Sequence, residues 1–314
     1  MTPFDEQRLK GLLDRLAIGD SLPESEFDRI SVTPGEMGLV VRDGMVLLSP
    51  DTKILDIERI REGLSPEAAA WLRDPEVHLV IDSTNSRMTA AAQAGSVDGL
   101  CWFAELQTAG RGRRGRSWVS PFARNLTLSL GFSLGGTPRD AGALSLVVGL
   151  AVADMIEGHG VADVSLKWPN DVLVGGAKAC GILIELIAHR RPLECVIGIG
   201  LNVEMPHDVR AAIGQDVADL REHGVEDGRD VLAAELVSAV IRYVDEFKRS
   251  GFRGMRSTYD EVHTCHGRHC RILHGNAEFE GVVTGVTDDG ELRVRGPDGE
   301  RRFNGGEVSL RRDV

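Results

Sequence analysis

Apolar residues follow a helical rhythm in two long stretches of the chain and alternate with polar ones in most others. Leu144, Val147, Val148, Ala151, Val152, Met155 and Ile156 recur at helical spacing with Gly158 as a stop, which predicts a helix. A second helix is predicted from about Val231 to Lys248, with Asp230 placed to cap it and Leu232, Leu236, Val240, Tyr243, Val244 and Phe247 on one face. Between Val77 and this helix, HLVI (78–81), WFAEL, LTLSLGFSL, VSLKW, ACGILIELI and LECVIGIGLNV read as successive strands. The first 75 residues have a different texture. Six of the 12 prolines lie there, and they break the chain into one helix over DEQRLKGLLDRLAI and a hairpin, GLVVRDGMVLLSP, turning at Asp43-Gly44. After Gly251 and Gly254 come only short strands (CRILH, FEGVVTGVT, ELRVRG, ERRFNG) separated by turn residues, as in a small barrel. The pattern therefore predicts three units: a small one over 1–75, a mixed α+β domain over 76–262, and a β-barrel over 263–314.

Composition narrows the class. With 42% hydrophobic and 27% charged residues, the 314-residue chain is neither disordered nor fibrous. Its 36 lysines and arginines against 48 aspartates and glutamates leave a net charge of −12. A broad nucleic-acid surface is unexpected on such a chain, although a local basic site for one small anion is compatible with it. The five cysteines are scattered and odd in number, and MTPFDEQRLK lacks a basic-then-apolar leader. The longest nearly apolar run, Ala143 to Ile156, is shorter than the roughly 20 residues that span a bilayer. A cytoplasmic protein with free thiols and no membrane partner is expected.

Against that acidic background, one segment stands apart. Gln107 to Trp118 holds Arg111, Arg113, Arg114 and Arg116 interleaved with Gly110, Gly112 and Gly115. Glycine lets backbone approach a ligand closely, and the guanidinium fork matches phosphate oxygens. A solvated basic loop or an RNA-contacting patch has the same composition. The loop's single occurrence between two strands favours a small polyphosphate. Lys167-Trp-Pro-Asn-Asp171 gathers a lysine, an amide and a carboxylate at a strand end, suited to hold a carboxylate, an α-phosphate oxygen or a metal, or simply to turn the chain. Lys178 is a second cation nearby. Asp82-Ser-Thr-Asn85 offers hydroxyl and amide groups to a polar ligand head, and equally reads as a helix cap. Gly198-Ile-Gly-Leu-Asn202 lacks the strand-turn-helix context of a dinucleotide fingerprint. His263, Cys265, His266, His269, Cys270 and His274 include zinc-ligand types, but their spacings match no standard zinc site.

In this order, the four segments resemble those of the bacterial biotin protein ligases, the biotin–[acetyl-CoA-carboxylase] ligases. GRGRRGRSW resembles the family's adenylate-binding loop, KWPND its lysine motif, DSTN its biotin-pocket strand end and GIGLN its nucleotide-pocket strand. Gly305 to Ser309 resembles the end of its C-terminal domain. The resemblance covers roughly Val77 to Leu310. It implies a catalytic domain like that of class II aminoacyl-tRNA synthetases, a mixed sheet flanked by helices, followed by an SH3-like barrel. It also implies ATP and magnesium as cofactors, biotin as substrate and a biotin carboxyl carrier protein as acceptor. By that likeness Ser83, Thr84, Asn85, Gln107, Arg111, Gly112, Arg113 and Lys167 would hold biotin. Arg113, Arg114, Arg116, Trp118, Asn170, Lys178 and Asn202 would hold the nucleotide, with Lys167, Arg113 and Arg116 acting on the reacting groups and magnesium near Asp171. A homodimer is a family trait with no residue here to establish it.

The N-terminal unit departs from the family pattern. A first helix and a wing-like hairpin fit a winged helix, but SLPESEFDRISVTPGEMG between them offers no basic recognition helix. Residues 1–48 carry five basic and nine acidic side chains. A degenerate winged-helix-like unit without DNA binding is expected. The alternatives are a bifunctional ligase and biotin-operon repressor, and a related lipoate ligase.

Overall fold

The computed structural model describes residues 3–28, 30, 33–35, 37–49, 52–135, 141–187, 192–274, 277–304 and 308–312. At its centre is a seven-stranded sheet of β4 (Asp74–Ile81), β5 (Leu100–Gln107), β6 (Leu126–Ser133), β7 (Val164–Lys167), β8 (Asp171–Val174), β9 (Ala177–Ile187) and β10 (Glu194–Leu201). The strands lie in the order β4-β5-β6-β10-β9-β8-β7. Only β4 and β5 run parallel. One face packs on α5 (Leu144–Gly158), which packs in turn on α7 (Arg229–Ser250). Sandwiched between sheet and helix, α5 buries residues on every side, which explains why its apolar stripe is so wide. A shorter helix, α4 (Thr84–Ala91), covers part of the opposite face through Met88 and the adjacent Ala92. Two short helices, α6 (His207–Ala212) and α8 (Arg256–Val262), follow β10 and α7 respectively.

Two helices that the proline-broken texture concealed belong to this same core. Asp56 caps α2 (Ile57–Gly63) by accepting from the Glu58 and Arg59 amides. Ser65 caps α3 (Pro66–Trp71), where Pro66 occupies the first turn and costs no hydrogen bond. Leu55, Ile60, Ala68 and Leu72 join the main core. Residues 55–72, assigned by the sequence to the N-terminal unit, therefore pack as part of the central domain. An ion pair beneath the sheet fixes the connection. Arg229 Nη1 lies 2.8 Å from Glu105 Oε2, both nearly or fully buried, and Arg229 also donates to Asn125 O and Lys53 O. Glu105 Oε1 accepts from the Leu55 amide at 2.5 Å. Removing one partner of such a pair costs about 3–5 kcal/mol, because the other charge is left buried.

The N-terminal unit consists of α1 (Pro3–Ala17) and a sheet of β1 (Leu22–Pro23), β2 (Val40–Arg42) and β3 (Met45–Leu47), ordered β1-β3-β2. Asp43 and Gly44 both take positive φ, as the expected tight hairpin turn requires. Among the described residues from Phe27 to Leu39 there is no second helix. The hydrophobic core of this unit is shared with Val80, Leu106, Phe122 and Ala123 of the central domain, and the Phe122 amide donates to Met37 O at 2.7 Å.

The C-terminal unit is an antiparallel sheet of β11 (His269–His274), β12 (Ala277–Val286), β13 (Leu292–Gly296), β14 (Gly299–Phe303) and β15 (Val308–Arg312), ordered β14-β13-β12-β11-β15. It docks on the central domain through the indole of Trp168, whose Nε1 donates to Gly290 O at 3.0 Å. In the candidate zinc segment, Cys265 and Cys270 are core residues, His263 stacks on Tyr259, and His266 Nδ1 lies 2.6 Å from Asp260 O. His274 has no described side chain. Burial also pushes the thiols of Cys101, Cys180 and Cys195 upward, the last to about 12. No helix among the described residues is long and apolar enough to cross a membrane.

Candidate active site

The strand alternation that builds the core on one face of the sheet builds a cavity on the other. Leu126, Leu128, Leu130 and Phe132 of β6, with Cys195, Ile197, Ile199 and Leu201 of β10, point into the core. The intervening residues are small or polar apart from Val196, which packs against Met88 and Ala92. Register places Thr127, Gly200 and Gly181 in one cross-strand row and Ser129, Gly198 and Leu183 in the next. These rows form the cavity floor, and the two glycines of β10 are needed by what lies on them. A Cβ on Gly200 would come within 2.2 Å of Trp118 Cε2, and one on Gly198 within 2.2 Å of Asn85 Oδ1.

The arginine-glycine segment forms a narrow hairpin over one end of the floor. Arg111 bridges to Ser117, the Gly112 amide donates to Arg116 O at 2.7 Å, and the Trp118 amide to Gly110 O at 2.9 Å. Gly110 faces the Trp118 carbonyl so closely that a Cβ there would lie 2.4 Å from it. The turn places Arg114 and Gly115 at positive φ. Trp118 lays its indole across the glycines, with Lys178 Nζ 5.6 Å from the ring centre. Its Nε1 is buried with no hydrogen-bond partner among the described residues.

Opposite the hairpin, the KWPND segment joins β7 to β8 through a cis Trp168-Pro169 bond. Lys178 Nζ pairs with Asp171 Oδ1 at 2.8 Å. Arg113 Nη1 donates to Asn170 Oδ1 at 3.0 Å, and Asn170 Nδ2 to Ile182 O at 2.9 Å. Burial, and next the charge of Arg114, lower the Arg113 pKa from its ordinary value, with Asp171 opposing. The side chains of Lys167 and Arg116 have no hydrogen-bond or ion-pair partner among the described residues. At Lys167 and Arg116 the cationic end of the cavity thus holds charge that nothing among the described residues neutralises.

The other end is neutral and saturated with hydrogen bonds. Ser83 caps α4, and the Thr84 amide donates to Gln107 Oε1 at 2.8 Å. Ser129 Oγ lies 2.6 Å from Asn85 Oδ1 and 2.7 Å from Thr84 Oγ1. Asn85 Nδ2 donates to Glu185 Oε2 at 3.0 Å, and Arg111 Nη2 to Glu185 Oε1 at 2.9 Å.

Of the residues expected at the site, Ser83, Thr84, Asn85, Gln107, Arg111, Gly112, Arg113, Arg114, Arg116, Trp118, Lys167, Asn170, Asp171 and Lys178 all line this one cavity. Asn202 does not. It is buried beyond the strand end, and its Nδ2 donates to Lys178 O and Ala218 O, so it fixes the 216–220 segment against β9. Its Oδ1 is buried with no hydrogen-bond partner among the described residues. Thr127, Ser129, Gly181, Gln215 and Glu185 were not anticipated. The strand alternation of LTLSL and the register with GIGLN could have exposed the first three, whereas Gln215 sits on an irregular segment with no sequence signature.

Comparison with known proteins gives the same reading. Residues 78–202 match the model of the biotin/lipoate A/B protein ligase family, and residues 265–311 that of the biotin protein ligase C-terminal domain. The Bifunctional ligase/repressor BirA of Salmonella typhimurium is 34% identical over 260 residues, covering 82% of this chain and 79% of its own. The Biotin--[acetyl-CoA-carboxylase] ligase of Mycobacterium tuberculosis is 33% identical over 246 residues, 76% of this chain and 89% of its own. Among solved structures, the biotin protein ligase from Aquifex aeolicus in complex with biotin and ATP superposes with a TM-score of 0.65 at 26% identity, covering 77% of this chain and 100% of that one. With its matched domains, its relatives and a cavity that unites the expected residues, the chain belongs to the biotin protein ligase family.

Proposed function

We propose that this ATP-dependent ligase joins biotin to ATP in the cavity above β6, β10 and β9 and then passes biotin to a lysine of a carrier domain. One observation carries the reading: a neutral hydrogen-bonding pocket opens directly onto unneutralised cations, with Lys167 and Arg116 lacking partners among the described residues. A ureido ring suits the first end, and a carboxylate meeting a triphosphate needs the second.

In the first step a biotin carboxylate oxygen attacks the α-phosphorus of ATP, pyrophosphate leaves, and biotinyl-adenylate forms. Lys167, Arg113 and Arg116 offset the repulsion between the two anions and the charge that develops as they approach. Arg113 is half-buried, where a charge is less screened than in water. The indole of Trp118 offers a flat apolar surface for adenine, and Asn170 and Lys178 border the same space. In the second step the ε-amine of the acceptor lysine attacks the anhydride carbonyl, AMP leaves, and an amide bond remains. No covalent link to the enzyme is required, so the rate rests on placement and electrostatics. Asp171, whose Oδ1 pairs with Lys178, is the carboxylate that lines this end, and it would be the residue to hold magnesium, which binds through one or two carboxylates and substrate phosphates. When bound with the nucleotide, the ion would neutralise charge on the leaving pyrophosphate.

Lys167→Ala is expected to lower transfer of labelled biotin to a biotin carboxyl carrier domain by about a thousandfold, with an unchanged melting temperature. Transfer at the normal rate, or activation of lipoate as readily as biotin, would overturn the assignment.

We further infer that the N-terminal unit does not bind an operator. Support comes from its acidic excess, the lack of a second helix among its described residues, and its shared core with the central domain. A sequence-specific, salt-sensitive gel shift with a biotin-operon operator, in the presence of biotin and ATP, would contradict this.

A further inference from the structure

Glu185 lies on β9 among the groups at the neutral end of the cavity, and none of the roles derived above requires it. Its carboxylate receives two side chains. Arg111 Nη2 donates to Oε1 at 2.9 Å, and Asn85 Nδ2 donates to Oε2 at 3.0 Å. Asn85 is held rigidly, because it is buried and its amide lies against the bare backbone of Gly198.

Proton counting then gives the chain of hydrogen bonds a direction. A carboxylate facing a guanidinium offers only acceptors. The Leu183 carbonyl, 3.3 Å from Asn85 Nδ2, likewise can only accept, so Asn85 turns Nδ2 toward Glu185 and Leu183 and Oδ1 toward Ser129. Ser129 has one hydroxyl proton, and Asn85 Oδ1 at 2.6 Å can only accept it. Ser129 Oγ is left as an acceptor for the hydroxyl of Thr84 at 2.7 Å, a shorter contact than the 3.2 Å from Thr84 Oγ1 to Gln107 Oε1. With its proton committed, Thr84 Oγ1 presents lone pairs to the cavity. Gln107 Oε1 is occupied by the Thr84 amide, which leaves Nε2 as the donor. An acceptor beside a donor matches a ring N–H beside its carbonyl.

We propose that Glu185 is a positioning residue that, together with the Leu183 carbonyl, fixes the polarity of the Asn85–Ser129–Thr84 chain and so matches the pocket to a cyclic urea. This rests on the biotin reading above. Glu185→Gln keeps the size but has one acceptor oxygen for both Arg111 and Asn85, so the Leu183 carbonyl is left as the weaker hold on the Asn85 amide and the polarity of the pocket is less firmly set. Glu185→Asp is smaller but still accepts only.

The test is calorimetric titration of the full-length protein with biotin and, separately, ATP. Glu185→Gln is expected to weaken biotin about tenfold, roughly the effect of one hydrogen bond, and to leave ATP within about twofold. Glu185→Asp should retain more biotin affinity than Glu185→Gln. In a Ser129→Ala background the Gln substitution should cost less than about twofold further, because the chain through which it acts is already cut. An undiminished tenfold loss in that background, equal weakening of ATP, or Gln outperforming Asp would overturn the proposal. A wild type that does not bind biotin would overturn the biotin reading together with it.

Discussion

The two ends of the cavity stand on the same three strands and are built in opposite ways. At the neutral end, Ser83, Thr84, Asn85, Ser129 and Gln107 bond to one another or to the backbone before any ligand arrives. At the cationic end, Lys167 and Arg116 have no partner among the described residues, and Trp118 Nε1 is likewise unpaired. The contrast separates recognition from catalysis. A neutral ring is selected by a fixed pattern of donors and acceptors, so that pattern has to be rigid. Anions that repel one another are brought together by charge, which acts most strongly when the chain has not already neutralised it.

Two glycines on β10 offer the sharpest way to break the comparison, since each backs one end. Gly200→Ala would drive a methyl group into the indole of Trp118. It is expected to weaken ATP about a hundredfold while biotin binding changes little, because misplacement by about 1 Å carries costs of that order. Gly198→Ala would displace the Asn85 amide instead, with the larger loss falling on biotin. Separate titrations of both variants with both ligands check this, and equal losses of both ligands in either variant would dissolve the distinction.

A smaller effect is expected from Ser129→Ala. It leaves the buried Asn85 Oδ1 without its donor, lowering stability by about 1–3 kcal/mol in chemical denaturation and weakening biotin several-fold. The smallest effect sharpens the contrast through salt. Raising ionic strength from about 0.05 to about 0.5 M should weaken ATP steeply and biotin only slightly, since ATP brings a triphosphate to the charged end and biotin a single carboxylate. Parallel slopes for both ligands would argue against two differently built ends.

Much of this site was legible in the sequence because short motifs carry it. The arginine-glycine hairpin, KWPND and DSTN all face one cavity, and the helical stripe from Leu144 to Ile156 lies within α5. Failures arose where local chemistry has two uses. Pro66 breaks a helical pattern in sequence, yet in space it opens one. Asp230 looked like the cap of α7, but Gly228 holds that position and Asp230 accepts from the Asp56 amide instead. Asn202 lies just past the end of β10, where the carbonyls of Lys178 and Ala218 take up its Nδ2, a use that the linear motif does not reveal. Glu185 could not be singled out because its importance lies in cross-strand register, which a linear reading does not contain.

In the proposed reaction, biotin's carboxylate and the α-phosphate of ATP meet at the boundary between these ends. Exchange of labelled pyrophosphate into ATP by the wild-type protein, with and without biotin, tests it most directly. Exchange that depends on biotin is the expected result. No exchange, or exchange at the same rate without biotin, would contradict it.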